Sequence, residues 1–562
     1  MIHKILSLSM ALFFALGLTS CKKESEMWDN IPLEEAYNDP SKLEPSLMGA
    51  YYTLGTFRFL GNYATTLGDV AADVATASSQ TGHLVGMYEY NITETLNEPS
   101  SIWEFGYKVI DRCVRVQNGG VEAMGKCVNN SDTLTVLSAI YQSYALRALT
   151  NLYLVNIFAL PYRAGASNNS PGIVIVDKEP VEAFTQVSRA TVAEVYAHID
   201  DCIAQAKNYY AQFVAAGGVD PEAFYINGRG ISAIEARVAL YKGEWAKASE
   251  AANAAIDGVK PINSAGYLTM WNKLALTSEH IFAIAKAEDD NLSANSINNQ
   301  YTDYKGRVSD LAMSLFAPSD IRAQLLDSEG QTQKWFGLPS NANTSNIPVI
   351  RLSEMYLIKA EADAQQDKIA DAQAALFAVA SRDTAVTQES DLPSTKEELL
   401  NFIEAERVRE LYTEGHRWYD ARRTGKPVRY CSDGYAWNVS NFCYPIPADE
   451  VNAGFGVVQT KDWANALPNR RTNANAAGEV HVASVWTRPT LEVKAGTDVE
   501  LWCSVSPFYA DDKTVAWKSD NAAVATVDGA TGALTAVAAG TANITVTSTD
   551  GAKTAVCVVT VK

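Results

Sequence analysis

Glu404, Glu410 and Glu414 stand close together in the run EAERVRELYTEGHRWYDARRTGK, Glu404 to Lys426. Two carboxylates at a fixed separation are what glycoside hydrolysis requires, and one of them needs apolar surroundings that raise its pKa. Here arginines recur at almost every turn. Glu404 with Arg407, Glu406 with Arg409 and Arg407 with Glu410 are i,i+3 pairs, while Glu406 and Glu410 repel at i,i+4. Interleaved guanidinium groups hold such acids ionised, so the run reads as a structural ion-pair lattice. His416 has neither the partners of a triad nor the company of a metal site, and no H-E-x-x-H, G-x-S-x-G or G-x-x-x-x-G-K-[ST] pattern occurs. Glu288-Asp289-Asp290-Asn291 lacks the glycine of a calcium loop and reads as a solvated turn.

Aromatic side chains are the stronger candidates. A sugar ring packs its C–H face on Trp or Tyr, and its hydroxyls need Asn, Asp, Gln or Arg. Two long stretches without clear periodicity, Asn62 to Ser101 and Tyr267 to Asn346, supply both types. The first offers Tyr63, Asp73, Tyr88 and Tyr90; the second offers Trp271, Asn298, Tyr301, Tyr304 and Trp335. Irregular segments of this length are uncommon unless they are functional or disordered, and their aromatic content favours order.

Helices must position these stretches. Thr133 to Phe158 carries apolar residues at helical spacing until Pro161 stops it, and Ser188 caps a helix predicted to run to Tyr210. Two further segments read as helix pairs broken at Gly243 and near Asp367, a layout that resembles tetratricopeptide units. Asn227-Gly228-Arg229-Gly230 introduces the first of them. After Trp463 the composition changes: 464–485 reads as a linker, and 486–562 as short alternating strands separated by Asp-Gly turns, the pattern of a β-sandwich.

The N-terminal end has its own chemistry. Lys4 precedes an apolar stretch ending in Leu18-Thr19-Ser20-Cys21, which has the form of a secretory leader (1–20) too short for a comfortable membrane span. Those last four residues resemble a bacterial lipobox, which implies acylation of Cys21; at about 0.8 kcal/mol per buried methylene, several acyl chains anchor a protein to outer-membrane lipid. A polar tether, 21–30, follows, and its acidic residues resemble the export signal of surface lipoproteins. The 562 residues carry 47% hydrophobic and 20% charged side chains, ordinary globular composition. A formal charge of −19 opposes nucleic-acid binding. Of the eight cysteines, Cys113 with Cys127 and Cys431 with Cys443 are open pairings, and Cys202 is left single.

Glu406 to Lys426, IRLSEMYLIKAEA (Ile350 to Ala362) and YPIPADEV (Tyr444 to Val451) together resemble the signature of SusD/RagB outer-membrane nutrient-binding lipoproteins. Trp103 to Asn118 and ALRALTNLYLVNIFALPY resemble that family's upstream motifs. Trp517 to Thr547 resembles a bacterial immunoglobulin-like domain of group 2. The resemblance implies a mainly α fold: a tetratricopeptide-like body over 31–463 with long irregular loops, plus a C-terminal Ig-like sandwich standing off its end. Cys503 and Cys557 fall in the sandwich's predicted second and last strands, where they could bridge it. The function implied is capture of a glycan and its delivery to a SusC-like TonB-dependent transporter at the outward face of the outer membrane. It implies no cofactor, metal or covalent chemistry. A glycoside hydrolase, or an adhesin using the Ig-like module, are the alternatives.

Overall fold

The computed structural model describes residues 37–177, 185–470, 472 and 475–562, so Cys21 and its tether lie outside the described residues. No helix among the described residues is long and apolar enough to cross a membrane.

Polar caps set where the helices begin. Helix α1 (Pro40–Leu54) starts behind Asp39, which accepts from the Ser41 amide at 2.9 Å. After α2 (Tyr63–Val70) come α3 (Asn97–Met124) and α4 (Asn130–Phe158), the latter capped by Asn129. Helix α4 packs between α3 and α5 (Val192–Ala215) and is buried on most of its surface. The Ser188 cap expected from the sequence is displaced to Thr191, because Thr191 and Glu194 satisfy each other's backbone amides in a reciprocal capping box. Asn227 caps α6 (Gly228–Lys242), and Gly243, at φ 72°, turns the chain into α7 (Trp245–Ile256).

Strands β1 (His280–Ile284) and β2 (Ile347–Arg351) pair antiparallel. The motif that starts at Ile350 therefore begins in a strand, since the buried run Ile-Pro-Val-Ile packs better as sheet than as helix. The second helical pair follows: α8 (Leu352–Gln365), a break at Asp367, and α9 (Ile369–Ala380). The signature run folds as α10 (Lys396–Leu411) and α11 (Arg417–Thr424). Between them Gly415 has φ 83°, and a Cβ there would lie 2.2 Å from the Thr65 carbonyl oxygen. Only glycine lets this turn press against α2. We expect Gly415→Ala to cost at least about 2 kcal/mol in a thermal melt, from combined clash and backbone strain; an unchanged midpoint would refute that close approach.

The C-terminal strands are β3 (Ser484–Thr487), β4 (Thr490–Val493), β5 (Asp498–Glu500), β6 (Cys503–Ser506), β7 (Val515–Ser519), β8 (Ala525–Val527), β9 (Ala533–Ala536), β10 (Gly540–Ser548) and β11 (Thr554–Val561). They form sheets ordered β7-β10-β11-β4, β8-β9-β5 and β6-β3 around a core that includes Trp517, Ile544 and Val559. Cys503 and Cys557 lie in separate sheets and are free thiols, so the bridge expected between them is not formed; Cys113, Cys127, Cys431 and Cys443 are free as well.

The sandwich does not stand off. Trp486 packs its ring on Phe402 at 5.2 Å and donates to the Asp391 carbonyl at 3.0 Å. The loop after β6 drives Phe508 and Tyr509, each 2% exposed, into a shared core with Val408 and Tyr412 of the body. The 464–485 stretch is tied down too: buried Asn475 donates to the Leu467 carbonyl at 2.8 Å, and its own carbonyl accepts from Asn438.

Candidate functional site

The two irregular stretches meet each other. Ala75–Thr76 pairs with Arg307–Val308, Asn62 donates to the Asn295 carbonyl at 2.8 Å, and the Thr81 hydroxyl donates to the Tyr304 carbonyl at 3.0 Å. Along this seam runs a strip of rings. His83 stacks on Tyr304 with centroids 4.2 Å apart and planes 9° from parallel. Tyr63 lies beneath, 6.4 Å from His83 and edge-on to Phe57 at 5.5 Å. The exposed Arg58 guanidinium covers Phe57 at 5.1 Å. His83 is fixed by Nδ1, 2.6 Å from the Gln300 amide oxygen. Phe57, His83 and Tyr304 are half-buried, whereas Tyr63 is 6% exposed, and its hydroxyl pKa is raised by burial and then by Glu98. Flat rings held at a surface, with the Arg58 guanidinium beside them, offer both contacts that a sugar needs.

Of the nine residues singled out in the sequence, Tyr63 and Tyr304 come together here. Tyr88 is half-buried beside Cys431, whose thiol donates to the Tyr88 carbonyl at 3.0 Å. The others serve the interior. Asp73 accepts from Arg417 Nε at 2.8 Å, and Tyr90 packs against Trp437 at 4.9 Å with its hydroxyl on the Ala71 carbonyl. Asn298 and Tyr301 are 5% and 1% exposed. Trp271 and Trp335 pack on each other at 6.0 Å as walls of the ion lattice, leaving no ring face open to a ligand. Phe57, Arg58 and His83 were missed. The sequence reading did not single out His83, although its neighbour Gly82 is the kind of turn residue that presents a side chain at a surface.

The lattice itself is buried. Glu410 meets Arg351 at 2.9 Å, Arg382 at 3.1 Å and Arg322 at 3.2 Å. Glu414 meets Arg351 at 2.6 Å and Lys334 at 2.7 Å. Burial pushes the Glu410 carboxyl up, but Arg382, Arg351, Arg322 and Lys334 together outweigh it and hold the group at about 2. Glu404 and Glu414 are also held below the usual range: burial raises them, and Lys426 with Arg417, or Arg351 with Lys334, overcomes it. None of the three acids is poised to donate a proton. Asp69 is pushed up to about 8 by burial, but it is 0% exposed and accepts from the Gly415 amide. The pairs differ in part from those expected along the helix. Glu406–Arg409 forms at 2.7 Å, but Arg407 turns to Asp420 at 2.7 Å, and Glu404 takes Lys426 at 2.5 Å. Tertiary partners on α11 and its following loop are within closer reach than the i,i+3 ones.

Residues 330–463 match the SusD family model, and residues 481–559 match the model of the bacterial Ig-like domain, group 2. A candidate sugar-binding protein from Bacteroides vulgatus has the same fold at TM-score 0.68 and 26% identity, covering 76% of this chain and 99% of its own. This chain carries a SusD-family domain and a C-terminal bacterial Ig-like domain. A SusD superfamily protein from Bacteroides thetaiotaomicron aligns at TM-score 0.66 and 23% identity, over 75% of this chain and 99% of its own. A SusD-like carbohydrate-binding protein from Bacteroides vulgatus aligns at TM-score 0.60 and 19% identity, over 70% and 85%. No curated protein sequence matches the chain. Glu410, Glu414, Lys334, Arg351 and Arg382 of the lattice lie within the matched region, whereas Arg322 and the ring strip lie before it.

Proposed function

We propose that this SusD-like protein is a surface-exposed outer-membrane lipoprotein, acylated at Cys21, that binds a glycan and delivers it to a SusC-like TonB-dependent transporter. The observation that carries the ligand class is the parallel stack of His83 on Tyr304 at a half-open surface, flanked by Phe57 and Arg58. Rings in this arrangement exclude water from a sugar's apolar face, and nearby polar groups select hydroxyl geometry. The structural neighbours described as sugar- or carbohydrate-binding support the same class. Tyr304, His83 and Phe57 are the contact residues, with Tyr63 supporting them. Delivery to a transporter and outward display rest on the family resemblance and on the leader ending in Cys21.

Isothermal titration against a panel of plant and host oligosaccharides tests the ligand. Tyr304→Ala is expected to weaken binding of the cognate glycan at least tenfold, about 1.4 kcal/mol, the loss typical of removing an aromatic anchor. Unchanged affinity in that variant, or binding of peptides alone, would remove the strip from the mechanism.

A further inference from the structure

A cleft of about 430 Å³ opens between the helical pairs and the signature helices, with walls from α6, α8, α10 and α11 and a rim at Tyr162 to Ala164. It shares no residue with the ring strip. Its size falls in the range of small-molecule sites. Two half-buried rings, Tyr162 and Trp245, line it from one side. Tyr162 is braced by Tyr196 at 4.9 Å.

The opposite side is charged but already balanced. Arg407 pairs with Asp420 at 2.7 Å, Arg423 with Glu361 at 2.6 Å, Arg417 with Asp73 at 2.8 Å and Lys426 with Glu404 at 2.5 Å. Lys242 pairs with Glu244 at 2.6 Å. Two lining charges have no oppositely charged partner among the described residues, and they cancel. One is Arg163, which donates to the carbonyls of Arg422 and Arg423 at 3.0 and 3.1 Å; the other is exposed Glu397. In the floor, Arg407 is 4% exposed and its Nη1 has no hydrogen-bond partner.

These features restrict the ligand. An ionised ligand finds no unbalanced charge to meet, and an apolar one would bury paired polar edges without replacing their water. A neutral polyhydroxylated ligand satisfies both walls, with C–H faces on the rings and hydroxyls on carboxylate, guanidinium and amide edges such as Asn401. We propose that this cleft is a second saccharide site, taking the end of a neutral oligosaccharide.

Titration of the full chain with maltohexaose, xylohexaose and cellohexaose, and with a galacturonate oligomer as the charged control, tests it. Two cleft variants are used because Trp245→Ala perturbs a helix start; Thr424→Arg instead places bulk at the mouth from an exposed position. Each is compared with Tyr304→Ala. The expected result is two binding phases for a neutral oligosaccharide, one weakened by Tyr304→Ala and the other, kept in Tyr304→Ala, weakened at least tenfold by both cleft variants, while the galacturonate oligomer shows no cleft-dependent binding. Three outcomes overturn the proposal: no neutral probe binds Tyr304→Ala, both cleft variants bind like the wild type, or only the charged oligomer depends on the cleft. Loss of binding in Tyr304→Ala alone would leave the ring strip standing and remove the cleft. Loss in the cleft variants alone would do the reverse.

Discussion

Glu410→Ala is expected to destabilise the body by about 3–5 kcal/mol, the cost of breaking a buried ion pair from one side. The reason is arithmetic of charge. Arg322, Arg351 and Arg382 converge on this one carboxylate, at 0%, 1% and 4% side-chain exposure, and Glu410 itself is 0% exposed. Removing it leaves three guanidinium groups facing each other in a dry interior, with Glu279, Glu406, Glu414 and Asp320 only partly compensating. Chemical denaturation of the variant against wild type checks this; a difference below about 1 kcal/mol would contradict the lattice's contribution to stability.

Acid acts on the same groups. With Glu410 held at about 2 against an ordinary 4.5, the unfolded chain binds the proton first. That contribution, about 3 kcal/mol, is complete above pH 4.5 and is lost as pH falls through about 2. His198, His280 and His416 lose stability earlier. Burial, aided by nearby arginines, holds each at about 4 against 6.5, so each is neutral in the folded state and takes up a proton on unfolding. Their contributions are complete above pH 6.5 and fall as pH drops from there toward 4. Thermal melts are therefore expected to decline already between pH 7 and pH 5 and more steeply below 4.5. A flat midpoint between pH 7 and pH 5 would mean that these histidines are not held neutral.

Helical periodicity and punctuation carried most of the body. Pro161 and Gly243 end helices where the sequence indicated, and Asp367 takes the positive φ that breaks the second pair. The ion-pair character of the signature run was equally legible, because no local arrangement of so many arginines leaves its acids neutral. Their partners were not, since a one-dimensional reading offers only i,i+3 and i,i+4 neighbours, whereas Arg407 and Glu404 reach across to α11 and beyond it. Facing was the harder problem. Trp271 and Tyr304 look alike in an irregular stretch, yet Lys334 and Arg351 draw Trp271 inward as a cation-π wall at 5.2 and 5.4 Å, while the Tyr304 ring stacks on half-buried His83. Asp73 was likewise claimed by Arg417, far away in sequence. Charge partners distant in the chain decide which polar and aromatic loop residues remain free for a ligand.

Phe508→Ala is the second large effect. Its ring, 2% exposed, belongs by sequence to the sandwich but is buried in a cluster with Val74, Leu315 and Val408 of the body. Large-to-small changes at such positions cost about 3–5 kcal/mol. Arg417 adds to the loss. Its guanidinium lies 4.9 Å from both the Phe508 and Tyr509 rings while its N–H groups hold Asp73 and Glu404. Loss of the ring leaves Arg417 less well covered and loosens the Arg429 clasp, in which Nε donates to the Tyr509 carbonyl and a guanidinium nitrogen pairs with Asp511 at 2.9 Å. Interfaces between domains of one chain allow relative motion unless they are large and apolar, and these two rings make this one apolar. Wild type is thus expected to unfold in a single calorimetric transition, and Phe508→Ala in two, with the body melting first. A single transition at an unchanged midpoint in the variant would mean that the Ig-like domain is tethered rather than docked.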